Sequence, residues 1–162
     1  MKACRYASRT HPLKLILAGP DEGVVRKLQD YSSRNQVDME YLGEVTGDRK
    51  LRAIEECDVY ACPSLNESFG LALLEAEAFG KPSVITGVGG QLYAAPPMVT
   101  SLYANPDPRD FAAKILALLD DKRLYDTLGK NAMSWADSHA WSKVLPKYMA
   151  LYERAYKLRS NS

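Results

Sequence analysis

The alternation of short aliphatic runs with stretches of helical spacing constrains this chain more than any other feature. Leu13 to Ala18 reads Leu-Lys-Leu-Ile-Leu-Ala and is closed by Gly19-Pro20-Asp21. Val24, Val25, Leu28 and Tyr31 then recur as one face of an amphipathic helix. Val37 to Leu42 is a second strand, followed by a loop to Asp48 and a helix over Arg49 to Glu56. Asp58 to Cys62 is a third strand, ended by Pro63, and a helix is predicted over Phe69 to Phe79 with Gly80 just past its end. Ser83 to Thr86 is a fourth strand, Gly87 to Pro97 a loop, and Ser101 to Ala104 a short fifth strand. Strands separated by helices predict a doubly wound parallel sheet of α/β class, with right-handed crossovers. Such sheets bind ligands beyond the carboxyl ends of their strands. The informative loops are then those after Ala18, Leu42, Cys62 and Thr86.

From Pro106 the pattern is helical: Asp110 to Leu119, Leu124 to Asp137, and Trp141 to Leu158, the last broken or begun near Pro146. One domain over 1–162 with a helical tail over 106–158 is the simplest division, and 162 residues suffice for one buried core. A net charge of +1 gives no global attraction to nucleic acid or to an anionic membrane. Three cysteines, Cys4, Cys57 and Cys62, form no disulfide framework, and His11 and His139 lie too far apart for zinc-ligand spacing. No run of 18 apolar residues and no charged-then-apolar leader occurs in the sequence. The expectation is a soluble cytoplasmic domain with reduced thiols, no metal and no transmembrane segment, able to dock on a membrane through a partner.

Pro63 to Ala76 carries the chemistry. Glu67 and Glu75 stand eight positions apart around a Ser-Phe-Gly turn. A helix beginning near Phe69 presents unpaired amides and the positive end of its dipole to the ligand edge of the sheet. Gly70 lets an anion approach the backbone closely, which suits a pyrophosphate or a sugar hydroxyl. Leu71, Leu74, Glu75 and Ala78 share one helical stripe, so Glu75 interrupts an apolar face, where a carboxylate is costly without a polar partner. Glu77 falls on another face and is read as solvated.

The segment resembles the Glu-x7-Glu donor-site motif of the group 1, or family 4, retaining glycosyltransferases, which have two Rossmann-like domains (the GT-B fold). Leu15-Ile16-Leu17-Ala18-Gly19-Pro20, Tyr41-Leu42-Gly43, Cys57 to Ser64, Gly80-Lys81-Pro82-Ser83-Val84, Gly87-Val88-Gly89-Gly90, Asn105-Pro106-Asp107-Pro108 and Trp141 also match their C-terminal, nucleotide-sugar-binding half. The resemblance spans Leu13 to Lys157. It implies that Glu75 holds the nucleotide ribose and that Glu67 meets the transferred sugar as the catalytic-site acid. Ser68, Phe69, Gly70 and Leu71 would supply turn contacts, with Gly19, Gly89 and Gly90 completing the donor site. The donor would be a UDP- or GDP-linked hexose, with no other cofactor and no metal.

The departures from the family are equally informative. Its members carry a Gly-Arg turn and a lysine near the start of this domain, where they neutralise the departing diphosphate. The sequence has no such segment: Met1 to Thr10 corresponds to the end of the helix after that turn, and His11-Pro12 to the His-Pro before the next strand. These residues are therefore expected to begin inside the domain, without its first strand. Tyr93 stands where the family has a glutamate. The Met1–Thr10 helix, a partner chain or a second copy of this chain is expected to cover the strand edge beside Leu13 to Ala18, with self-association or a partner requirement as the expected result. The reading is a nucleotide-sugar-binding domain, hardly active alone, that works with an N-terminal acceptor-binding domain or subunit. Its rivals are a non-catalytic binding or scaffolding module, and a domain of a nucleotide-sugar epimerase or phosphorylase of the same architecture.

Overall fold

The computed structural model describes residues 1–160. Its strands are β1 (Lys14–Leu17), β2 (Asp38–Tyr41), β3 (Tyr60–Cys62), β4 (Ser83–Ile85) and β5 (Ser101–Tyr103). Its helices are α1 (Lys2–Ala7), α2 (Val25–Asn35), α3 (Gly47–Glu56), α4 (Leu71–Ala78), α5 (Gln91–Ala94), α6 (Pro108–Asp120), α7 (Lys122–Ser138) and α8 (Trp141–Ser160). Every strand pairing is parallel, with Lys14 opposite Asp38, Tyr60 opposite Ser83, and Ser83 opposite Ser101. Parallel strands with flanking helices agree with the sequence reading. The ladder, however, is in two pieces, β1–β2 and β3–β4–β5. Among the described residues, β1 and β3 each keep one edge without a ladder partner.

The core lies on both faces of β4, as expected of a central parallel strand. Val84 packs with Leu102, Ala104, Phe111, Ile115, Leu118 and Leu128, so one face is covered by α6 and α7. Ile85, the next residue, points the other way and meets Leu73, Ala94 and Ala95 of the α4–α5 side. The β1–β2 pair is more open. No side chain of β1 is fully buried, and Lys14 pairs with Glu40 at 2.6 Å on its surface.

Local chemistry explains most of the departures from the predicted boundaries. α6 starts at Pro108 because Asp107 caps it, accepting from the amides of Arg109 (2.8 Å) and Asp110 (3.2 Å), with proline at the tolerant first position. α5 is a single turn inside the stretch read as a loop. α8 runs through Pro146 rather than breaking there. The ring removes one amide near the start of a 20-residue helix, and the rest of the helix is intact. α6 and α7 belong to the core, so only α8 projects as a tail, with Trp141, Leu145, Tyr148 and Tyr152 exposed.

The largest correction concerns α4. Its buried residues are Leu73, Ala76 and Glu77, while Leu71 is 68% exposed. The stripe containing Glu75 is thus the open face. Glu77, read as solvated, is fully buried where α4 packs on α7.

Candidate functional site

The site is built on the loop between β3 and α4. Gly70 caps α4 in the left-handed region at φ 94°, where glycine carries no Cβ penalty, and its carbonyl accepts from Leu73 (3.0 Å) and Leu74 (3.2 Å). The amides of Leu71 and Ala72 precede these first intrahelical bonds and lie at the positive end of the helix dipole.

The loop after β4 lies directly on this turn. Gly90 donates its N–H to the carbonyl of Glu67 at 3.0 Å. A Cβ on Gly89 would stand 2.1 Å from that carbonyl oxygen, and one on Gly90 would stand 2.3 Å from Phe69 Cα and 2.4 Å from Ser68 O. Both contacts are impossible for any side chain, so the glycine pair is what allows two backbones to touch. The expected residues Glu67, Ser68, Phe69, Gly70, Gly89 and Gly90 therefore form one local unit.

Gln91 locks that unit. Its side chain is fully buried. Its Oε1 accepts from the amides of Gly87 (2.9 Å) and Val88 (3.3 Å), and the Thr86 hydroxyl lies between it, at 3.0 Å, and the carbonyl of Ser64. Its Nε2 reaches Cys62 Sγ and Ser64 O, both at 3.4 Å. One glutamine thus ties the ends of β3 and β4 together. The sequence reading missed it, though a glutamine directly after Gly-Gly was the available signal.

Glu75 lies on the same edge, on the α4 face toward α3. Its Oε1 receives Lys50 Nζ at 2.6 Å, and the two side chains are 36% and 38% exposed. Among the described residues the Glu67 carboxylate has no hydrogen-bond or ion-pair partner. Both carboxylates act on Tyr60 of β3. Burial first, then the neighbouring cysteines and these glutamates, pushes its phenol up to about 12. Leu71 is exposed beside the turn, and Phe69 is half-buried, its ring 5.9 Å from that of Tyr93. Tyr93 in turn lies 6.4 Å from Trp135 and 5.7 Å from His139, so an aromatic cluster flanks the glycine loop.

Gly19 is placed apart from this unit. It follows β1, its carbonyl accepts from the Tyr41 hydroxyl at 2.8 Å, and its N–H donates to Gly43 O at 2.9 Å. It belongs to the β1–β2 piece, and among the described residues no hydrogen bond joins it to the Glu67 turn. Among the described residues no three His, Cys, Asp or Glu side chains cluster as metal ligands, and the three cysteines are free. Among the described residues no helix is long and apolar enough to cross a membrane.

Comparison with known proteins gives a consistent result. The model of the family "Glycosyl transferases group 1" matches residues 1–135. A D-inositol 3-phosphate glycosyltransferase of Salinispora arenicola is 34% identical over 116 residues, which are 71% of this chain and 26% of that one. An uncharacterised glycosyltransferase of Methanocaldococcus jannaschii is 28% identical over 82% of this chain and 38% of its own. The chain thus spans well under half the length of these relatives. Among solved structures, sucrose-phosphate synthase of Thermosynechococcus elongatus superposes with a TM-score of 0.84 at 24% identity, over 97% of this chain and 42% of that one. HepE of Anabaena, solved with UDP and glucose, gives 0.78 at 22% identity over 95% and 44%. The match in fold, the family model and the partial coverage of two-domain enzymes agree: the chain belongs to the group 1 glycosyltransferases and corresponds to the C-terminal, Rossmann-like domain of their GT-B fold.

Proposed function

We propose that this domain binds the nucleotide-sugar donor of a retaining hexosyltransferase that uses a UDP- or GDP-sugar, and that it works as part of a larger or split enzyme. The observation that carries the reading is the Glu67–Gly70 turn clasped by Gly89-Gly90 at the start of α4, with Glu75 on the same edge. Glu75 would accept hydrogen bonds from the ribose diol. Glu67, without a partner among the described residues, would meet the transferred sugar. The Leu71 and Ala72 amides would stabilise charge on the diphosphate as the bond from the anomeric carbon to the phosphate oxygen breaks and the acceptor oxygen bonds to that carbon. The complexes of HepE with UDP and UDP-glucose support a uridine nucleotide as the first ligand to try. Gly19, on the β1 side, would join the site only if β1 and β3 are brought into one sheet by an intervening strand. The partial coverage of the relatives supports including in the proposal an N-terminal acceptor domain or subunit.

Calorimetric titration with UDP and GDP tests this reading. Weak binding that Glu75→Ala weakens by roughly tenfold or more is expected, since hydrogen bonds to a charged group contribute about 1.5–3 kcal/mol. Binding that ignores the substitution contradicts the ribose assignment. A second reading, a non-catalytic module derived from such an enzyme, draws on Tyr93, which puts a 61% exposed ring in place of the family's glutamate beside the glycine loop. Transfer activity on co-expression with an N-terminal domain separates the two.

A further inference from the structure

We infer that Lys50 is a positioning residue of this site, which holds the Glu75 carboxylate for the ribose diol and cancels its charge toward an anionic ligand. The inference rests on the nucleoside reading of Glu75. Lys50 sits in the first part of α3, the helix entered from the loop after β2, and so lies at the carboxyl edge of the strands like the start of α4. It reaches across 25 residues of sequence to place Nζ 2.6 Å from Glu75 Oε1. The pair is about one-third exposed on each side, where an ion pair adds little to stability. Its effect on the carboxylate's geometry is larger. One oxygen is anchored by the ammonium, and among the described residues Oε2 has no partner and remains free to accept. The ammonium has three N–H donors and uses one on Glu75, which leaves two directed elsewhere.

Charge favours the same role for Lys50. A nucleoside diphosphate brings negative charge to an edge that already carries Glu67 and Glu75. Unpaired, two carboxylates would repel it. Paired with Lys50, Glu75 presents an oriented acceptor with no net charge from the pair, and the diphosphate can settle at the start of α4. Arginine at this position would preserve the charge and the contact. A neutral side chain would free the carboxylate to rotate and would restore the repulsion.

The test compares Lys50→Met, Lys50→Gln, Lys50→Arg, Glu75→Gln and the double variant Lys50→Met/Glu75→Gln by calorimetry. The ligands are UDP, GDP and their 2′,3′-dideoxy analogues, with circular dichroism melts to confirm folding. Expected is a loss of roughly tenfold for UDP or GDP in Lys50→Met and Lys50→Gln, which Lys50→Arg largely restores. The loss is smaller for the dideoxy analogues, and the double variant binds no worse than Glu75→Gln. If Glu75→Gln weakens UDP or GDP but the neutral Lys50 variants bind as well as or better than wild type, the positioning role is overturned and the nucleoside reading stands. If Lys50→Met weakens diphosphate and dideoxy analogue equally, Lys50 serves the phosphates or the fold and the positioning role is again overturned. If wild type binds neither diphosphate, or binds with no response to Glu75→Gln, the nucleoside reading falls and this inference with it.

Discussion

Replacing Glu77 with glutamine should stabilise the domain at pH 8 and hardly change it at pH 4. Glu77 is fully buried on α4, the helix that packs on α7, and neither carboxyl oxygen has a hydrogen-bond partner among the described residues. Burial pushes its carboxyl up from 4.5 to about 7, outweighing buried Thr100, which acts to lower it but falls short of hydrogen-bond geometry. The sign follows from linkage. Below 4.5 the group is protonated in both states and contributes its full share. As pH rises the unfolded chain ionises first, so stability falls until the folded carboxyl also ionises near 7. A gap of that size, at about 1.4 kcal/mol per pH unit, amounts to about 3 kcal/mol lost between pH 4 and pH 8. Urea denaturation of wild type and Glu77→Gln at both pH values measures this. The variant should match wild type at pH 4 and exceed it by about 3 kcal/mol at pH 8, or roughly 6–12 °C in melting temperature for a domain of this size. Taking the difference between the two proteins cancels the contribution of every other titrating group. Identical pH dependence in the two proteins would refute the claim that a dry, unpaired carboxyl sits under α4.

Three further outcomes are expected. Gln91→Leu leaves the amides of Gly87 and Val88 without acceptors and should destabilise the domain by about 2–4 kcal/mol in urea titration; a change under 0.5 kcal/mol, read roughly against ordinary surface substitutions, would show that the loop has other anchors. Gly90→Ala drives a methyl group into the backbone at Phe69, so nucleotide binding by calorimetry should be lost while secondary structure by circular dichroism persists; retained binding would separate the glycine loop from the site. Sedimentation velocity should show self-association or, with an N-terminal partner present, a complex, because β1 and β3 expose unpaired edges; a monomer at all concentrations, indifferent to such a partner, counts against that expectation.

The order of strands and helices was legible because aliphatic runs and glycine or proline punctuation act locally. The turn at Ser68–Gly70 and the glycine pair were legible for the same reason, since close backbone approach leaves few residue choices. The buried face of α4 was not. Leu71, Ala72, Leu73, Leu74, Ala76 and Ala78 make that helix apolar all round, so periodicity could not decide between Glu75 and Glu77, and packing against α7 decided it. Lys50 was missed because its partner lies 25 residues away and nothing in a lysine on a helix announces it, and the reach of Gln91 to Cys62 and Ser64 is likewise distant in sequence. Pro146 misled for a different reason: a proline near a helix start removes one bond without stopping the helix. The family resemblance supplied the candidate site residues and the expected unpaired edge beside Leu13 to Ala18, whereas the matching edge at β3 emerged from the strand pairing.

The central claim, that a nucleoside diphosphate binds at the start of α4, is tested most directly by mapping amide shifts in a nitrogen-15 spectrum of the domain during titration with UDP and then GDP. The account predicts saturable shifts concentrated at Ser68 to Leu71, Gly89, Gly90 and Glu75, with the α8 amides unmoved. Shifts confined to α8 or the α6–α7 surface, or no saturable shifts with either nucleotide, would contradict it.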